Sequence, residues 1–410
     1  MSRRERTVDV LVVGAGPAGL GAGAELAASG AGRVEILERD VDAGGIPRHC
    51  HHDGFPGRTG RSAATGPEYA ERAVTAAERA GAVLRTGVTV TGWAGPLTVD
   101  TTGPAGLERV TARAVVLATG ARERPRSARL VPGSRPQGVF TAGELQQSVH
   151  RYGQNVGSRA VVVGDDPVGH AAAATLHTAG ADVVAMVTDG NPGPVTALLR
   201  PRYRFPLLDR TTVTALVGRP RLQGVTVRHQ DGRTTTLHCD TVVLTGDYLP
   251  DHELARRADL VLDPGTRGPA HDAAFRTSRP GVFAVGNLLH AIEPAPVAAA
   301  EGRAVAVAAL RHLADGAQAP DPVALEVDAP LLWVAPNRTG PAGARPLGDR
   351  FALRTARRLE LPVLAVVQGG RELDRQRLLL PAVPGRSFHL GARWLERIDP
   401  YGPAVRITTL

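Results

Sequence analysis

The sequence predicts an α/β fold made of two Rossmann-like dinucleotide-binding domains, one inserted in the other, followed by a small C-terminal β-rich domain. Three observations predict it. An apolar strand, a glycine turn and a small-residue helix open the chain at 8–26, and the same succession returns at 160–189. Residues 331–410 then alternate like strands, with a Gly369-Gly370 turn between two of them. The expected boundaries are 1–125 with 270–320 for the first domain, 126–269 for the second and 325–410 for the third.

Val8 to Val13 is a continuous apolar, β-branched run, the pattern of a strand buried on both faces of a parallel sheet. Gly14 to Gly19 is its turn, Leu20 to Ser29 a helix, and Val34 to Leu37 a second strand that ends at Glu38. Residues 67–81 carry apolar Ala70, Ala73, Val74 and Ala77 at helical spacing, with Pro67 in the first turn and Gly81 at the stop. Short strands follow at 88–93, 97–100 and 110–113, and lead into the buried strand at 115–120. The second unit closes with a strand at 241–250, and 277–310 reads as a strand, a turn and a long helix. Pro320, Pro322 and Pro330 mark a boundary. Strands are then expected around 331–335, 350–355, 362–368, 371–380 and 404–410, with a hairpin across Gly369 and Gly370.

Length and composition narrow the class. The chain has 410 residues, too many for one ordinary core, and is 43% hydrophobic and 21% charged, which suits a soluble globular protein. Its formal charge of +8 rests wholly on arginines scattered in ones and twos, not on the dense basic runs of nucleic-acid arms, so no nucleic-acid partner is expected. No run reaches the ~18 apolar residues of a membrane helix. Met1-Ser2-Arg3-Arg4 resembles a twin-arginine export signal, but the apolar stretch behind it is broken by Gly14, Gly16, Pro17 and Gly19. With two cysteines, Cys50 and Cys239, and no CxxC pair, the chain fits a reducing cytoplasm and carries no disulfide framework. Clustered histidines beside Cys50 are sequence neighbours that rarely converge on one ion, so no metal site is expected.

The turn Gly14-Ala15-Gly16-Pro17-Ala18-Gly19 leaves out side chains where dinucleotide chemistry needs none. Gly14 permits the tight turn, Gly16 lets backbone approach a pyrophosphate, and Gly19 lets helix and strand pack closely. The helix N-terminus offers free amides and partial positive charge to phosphates. Glu38 stands where a carboxylate accepts hydrogen bonds from the adenosine ribose, with Arg39 beside it. In the second turn, Gly164-Asp165-Asp166-Pro167-Val168-Gly169, Asp166 replaces the middle glycine and puts a carboxylate where a pyrophosphate should sit. Two readings stay open there: a weakened NAD(P)H site, or a domain kept as scaffold or docking surface.

Three spaced signatures resemble the flavoproteins with two dinucleotide-binding domains, the glutathione-reductase-like or pyridine nucleotide-disulfide oxidoreductase superfamily. They are the opening glycine turn, Ala118-Thr119-Gly120, and Gly281-Val282-Phe283-Ala284-Val285-Gly286-Asn287, over residues 7 to about 315. The resemblance implies bound FAD and an FAD-dependent oxidoreductase that moves hydride or electrons. It also implies that Gly286 and Asn287 approach the flavin ribityl and pyrophosphate, that Val88 supplies a backbone contact to adenine, and that the helix after Pro296 directs its positive end at the flavin ring. Asn287 departs from the family's usual aspartate but can still donate and accept hydrogen bonds.

The run from Gly44 and Gly45 through Arg48, His49, Cys50, His51 and His52, with Thr65 to Arg72, is similar to the FAD subunits that accompany amino-acid, opine and glycerol-3-phosphate dehydrogenases. That narrower resemblance implies a substrate-oxidising partner protein in a hetero-oligomer. A homodimer, a self-contained NAD(P)H oxidoreductase and a non-catalytic scaffold are the alternatives. Gly45 and Arg48 are candidate cofactor contacts. Cys50 is either a flavin-facing thiolate flanked by His49 and His51 or a packed thiol with histidines lining a pocket. His290 either faces the flavin ring or caps the helix that follows it.

Overall fold

The structure is a computed structural model that describes residues 3–57, 63–192, 205–316, 322–341 and 343–410. Met1, Ser2 and Pro320, named above, lie outside the described residues. Among the described residues the helices run α1 (Pro17–Ala28), α2 (Gly66–Arg79), α3 (Ala142–His150), α4 (Pro167–Thr178), α5 (Glu253–Arg257), α6 (Asn287–His290) and α7 (Ala295–Asp315). None of them is long and apolar enough to cross a membrane.

The chain divides into two compact units: 1–45, 70–121 and 250–410 form the first, and 46–69 with 122–249 the second. Residues 250–269 and the C-terminal strands therefore belong with the first unit. The segment carrying Arg48, His49, Cys50 and His51 belongs with the second.

The first unit is built on a sheet in the order 83–85, 34–37, 4–13, 106–117, 98–103, 89–95, with 282–284 joining 106–117 as well. Strands 4–13, 34–37 and 83–85 pair in parallel, as a βαβ unit requires. Strand Gly106–Leu117 has two characters. Its first half alternates exposed and buried against an antiparallel neighbour, while its last four residues are all buried, covered on both faces. The sequence pattern divides this strand into two pieces because that change of character resembles a boundary. Helix α1 starts three residues earlier than expected: Pro17 sits at its first turn, where a missing N–H costs nothing.

The C-terminal part of this unit carries a second apolar core around Trp394, Phe351, Leu364 and Ile407. Its two sheets run 325–327, 405–409, 363–368, 371–377 and 331–335, 350–355, 388–391. The expected hairpin is present, with Gln368 opposite Arg371 and both turn glycines at positive φ (55° and 82°). Pro330 does not mark a boundary: it lies in the short connection between strands 325–327 and 331–335 of this domain.

The second unit repeats the opening logic. A parallel sheet in the order 139–141, 241–244, 159–163, 182–187, 207–208 carries α4 after its first glycine turn, and an antiparallel three-stranded sheet covers 211–238.

Candidate functional site

The first glycine turn has the geometry its sequence implies. Gly14 sits at φ +106°, and a Cβ on it would stand 2.5 Å from the Ala118 carbonyl oxygen. A Cβ on Gly19 would be 1.8 Å from the Gly14 oxygen. These two glycines bring strand, helix and the Ala118 segment into backbone contact. Gly16 faces open space: its Cβ would meet only the Gly45 Cα, at 4.0 Å. Gly44 donates its amide to the Ala15 carbonyl at 2.8 Å, so the double glycine at 44 and 45 lies against the turn. Gly16 is the N-cap of α1, and no side chain caps that helix.

Glu38 is fixed from both sides. Its Oε2 accepts the Ala15 amide at 2.9 Å and its Oε1 the Asp40 amide at 3.0 Å, and each oxygen keeps a further lone pair. Val88, buried, donates its amide to the Glu38 carbonyl at 2.8 Å. Arg39 is largely exposed and stands 3.7 Å from Asp251. Ala118 donates to Val13, Thr119 donates its hydroxyl to the Asp251 carbonyl at 2.8 Å, and Gly120, at φ +74°, accepts the Asp251 amide at 2.8 Å. The first unit thus gathers Gly14, Gly16, Pro17, Ala18, Gly19, Glu38, Gly45, Val88, Ala118 and, through Ala18, Gly286. A Cβ on Gly286 would stand 2.6 Å from the Ala18 Cβ.

Asn287 is committed elsewhere. Its side-chain nitrogen donates to the Glu293 carbonyl at 3.2 Å and its oxygen accepts the Glu293 amide at 2.8 Å, so it clamps the loop that enters α7.

The expectation that His290 caps the following helix is corrected, because the N-cap of α7 is Pro294 and no side chain caps it. The imidazole is buried instead, with Nε2 3.0 Å from Glu301 Oε1, and stacks on Trp333 with centroids 5.7 Å apart. Coulombic attraction to Glu301 holds the His290 pKa above its ordinary value against the opposing effect of burial, and Glu301 is correspondingly held below its own. Glu301 also accepts the Gly286 amide at 2.9 Å. Nearby His271, fully buried, is pushed down to about 4 by burial, with His290 adding repulsion. Glu301, His271 and Trp333 are absent from the residues that the sequence motifs single out. One signal is available in the sequence: Glu301 is a single acid on the apolar face of α7, between buried Ala298 and Val305.

In the second unit Cys50 is corrected from the thiolate alternative to a packed thiol. It is buried, contacts Gln146 Oε1 and the Ile46 carbonyl at 3.5 Å, and is pushed up to about 12 by burial and by the Glu123 charge. His49 is buried in the 3-10 turn Ile46–His49 with half-buried Arg48. His51 is exposed and stacks on His150 with centroids 4.2 Å apart.

The second glycine turn differs from the first at its helix. Asp166 is the N-cap of α4, and its Oδ1 accepts the Gly169 amide at 2.7 Å. The Val168 amide and the Thr245 hydroxyl also bond to it. Burial holds its pKa above the ordinary value in spite of these bonds. The carboxylate occupies the amides that a pyrophosphate would use.

The sequence profile of the family described as pyridine nucleotide-disulphide oxidoreductase matches residues 8–302. An opine oxidase subunit of Agrobacterium tumefaciens strain Ach5 is 29% identical over 74% of this chain and 66% of its own length. The alpha subunit of sarcosine oxidase from Rhizobium meliloti strain 1021 is 30% identical over 60% of this chain and 25% of its own. The chain thus spans just under two thirds of the first relative and a quarter of the second. The thioredoxin reductase structure of T. acidophilum superposes with a TM-score of 0.63 at 22% identity, over 76% of this chain and 99% of that one, a likeness of fold.

Proposed function

The chain belongs to the pyridine nucleotide-disulphide oxidoreductase family, and on that premise we propose that it is an FAD-dependent redox subunit that exchanges electrons with a substrate-oxidising partner protein. Members of the family bind FAD and use NAD(P)H as a substrate. The residues of the first unit fit FAD: Gly16 leaves open space in front of an uncapped helix N-terminus, and Glu38 is held with lone pairs to spare. Gly14, Gly16 and the amides opening α1 would hold the pyrophosphate, Glu38 the adenosine ribose, and Val88 the adenine. With the Gly286 amide given to Glu301 and the Asn287 side chain to Glu293, their part falls to bare backbone at the turn. Bound there, FAD supplies a two-electron hydride acceptor and donor. The chain's own work is to bind and orient it.

The observation that carries the partner reading is Asp166. A redox protein whose second site is filled by its own carboxylate does not draw electrons readily from NAD(P)H, so they reach it by another route. Similarity to subunits of opine and sarcosine oxidases supports a partner protein as that route. The test is anaerobic mixing of the purified flavoprotein with NADH and with NADPH. The flavin absorbance is expected to persist, and to bleach once a co-purified partner and its substrate are added. Rapid bleaching by either nucleotide alone would replace this reading with a self-contained NAD(P)H oxidoreductase.

A further inference from the structure

The first unit buries a charged cluster beneath the turn at Gly286. Glu301, on α7, divides its carboxylate between the Gly286 amide, 2.9 Å from Oε2, and His290 Nε2, 3.0 Å from Oε1. His290 is the last residue of α6, and its Nδ1 has no hydrogen-bond partner among the described residues. Trp333, from the C-terminal strands, stacks on its ring. The His271 ring lies 6.5 Å from that of His290 between centroids, and the His271 amide is held by Asn337 Oδ1 at 2.9 Å.

The same C-terminal strands grip the next residues of the loop. Arg354 lies over the Trp333 ring at 5.3 Å, donates to the Ile292 carbonyl at 3.2 Å and stands 3.8 Å from Glu293 Oε1. Ser387 donates to that same carboxylate. The loop from 286 to 293 is therefore held by α7 from within its own core and by the C-terminal strands.

Stability is a poor explanation for such a cluster. Burying a carboxylate costs several kilocalories per mole of desolvation, and a buried ion pair is often no more stabilising than apolar residues of the same volume. What apolar residues cannot supply is direction. A charged acceptor fixes where the Gly286 N–H points, and with it the conformation at φ +73° that this turn adopts.

We propose that Glu301 is a positioning residue for the flavin-binding turn, and that the C-terminal domain completes the site by holding His290 and the 291–293 loop through Trp333 and Arg354. The inference rests on the reading above that Gly286 and Asn287 lie against FAD. The groups that face His290 are Glu301 on α7, Glu293 in the loop, His271 and the ring of Trp333.

The test titrates full-length apoprotein with FAD and, separately, with ADP, a probe that engages the Gly14 to Glu38 turn and Val88 and lacks the ribityl chain and the flavin. Calorimetry on the wild type, Glu301→Ala, Glu301→Gln and Trp333→Ala gives the affinities. Glu301→Ala is expected to weaken FAD about tenfold or more, the loss of one charge-assisted hydrogen bond, and to leave ADP within about twofold. Glu301→Gln keeps an acceptor for the Gly286 amide and recovers part of the loss. Trp333→Ala shows a smaller loss confined to FAD. Wild-type FAD affinity falls as pH rises and His290 loses its proton, a profile that Glu301→Gln flattens. Equal weakening of FAD and ADP, or no weakening of FAD, overturns the proposal. If Glu301→Ala does not fold, the Glu301→Gln pH profile and Trp333→Ala decide it. A wild type that binds ADP but not FAD overturns the FAD reading itself, which is a separate result.

Discussion

Gly16 and Asp166 occupy the same step of the two glycine turns and leave their helix amides in opposite states. At α1 no side chain claims them, while at α4 the Asp166 carboxylate does. Asp166→Ala should cost about 1 kcal/mol of stability as a lost N-cap. It should also raise the rate of anaerobic bleaching by NADH or NADPH above that of the wild type. Melting curves and stopped-flow traces check the two parts separately, and an unchanged bleaching rate would clear the carboxylate of blocking the site. The two buried histidines set a second expectation. His271 has a folded pKa of about 4 against an ordinary 6.5, so its contribution is full above pH 6.5 and is lost as pH falls toward 4, by up to roughly 3 kcal/mol. His290 is held above 6.5, so its contribution is full below that value and is lost as pH rises through the folded pKa. These two residues therefore act on opposite sides of pH 6.5, His271 lowering thermal midpoints as pH falls below it and His290 lowering them as pH rises above it. His271→Asn should flatten the acid side alone, which a pH series of melts would register.

At the scale of elements, α1 and α7 touch through glycines. A Cβ on Gly302 would stand 2.0 Å from the Ala18 carbonyl oxygen, and one on Gly21 2.7 Å from the Ala299 oxygen. Both obstacles are backbone, which cannot turn aside. Gly302→Ala should cost about 1–3 kcal/mol by overpacking and, by shifting the start of α1, weaken FAD retention as well. Gly30→Ala is the control. Its Cβ meets nothing within 4 Å, so only the positive φ of 78° is strained, at about 1 kcal/mol, and flavin content should not change. Flavin absorbance per chain and chemical denaturation separate the two. The elements themselves are largely legible in the sequence: strand 34–37, α2 and the C-terminal hairpin stand within a few residues of expectation. Periodicity fails where one strand serves two environments, as in Gly106–Leu117, and at the short strands 325–327 and 388–391, which carry too few residues to show a period.

For the whole molecule, the C-terminal strands carry their own apolar core yet send Trp333, Arg354 and Asn337 against the loop and His271 of the flavin-side fold. A chain ended at Gly316 should therefore lose FAD on gel filtration and melt at a lower temperature than the full chain. Equal flavin retention would mean that the C-terminal strands take no part in the site. The amino-acid sequence by itself determined the two glycine turns, the acid at Glu38, the repeated strand, turn, helix and strand units and the damage at Asp166, because each depends on residues within one βαβ unit and on local backbone chemistry. Only the tertiary structure decided that Cys50 is a packed thiol, that Asp166 caps its helix, and that Glu301, His290 and Trp333 meet beneath Gly286. Those outcomes turn on burial and on contacts between residues far apart in the chain. Desolvation and a directed hydrogen bond acquire their strength only once the chain has closed around them.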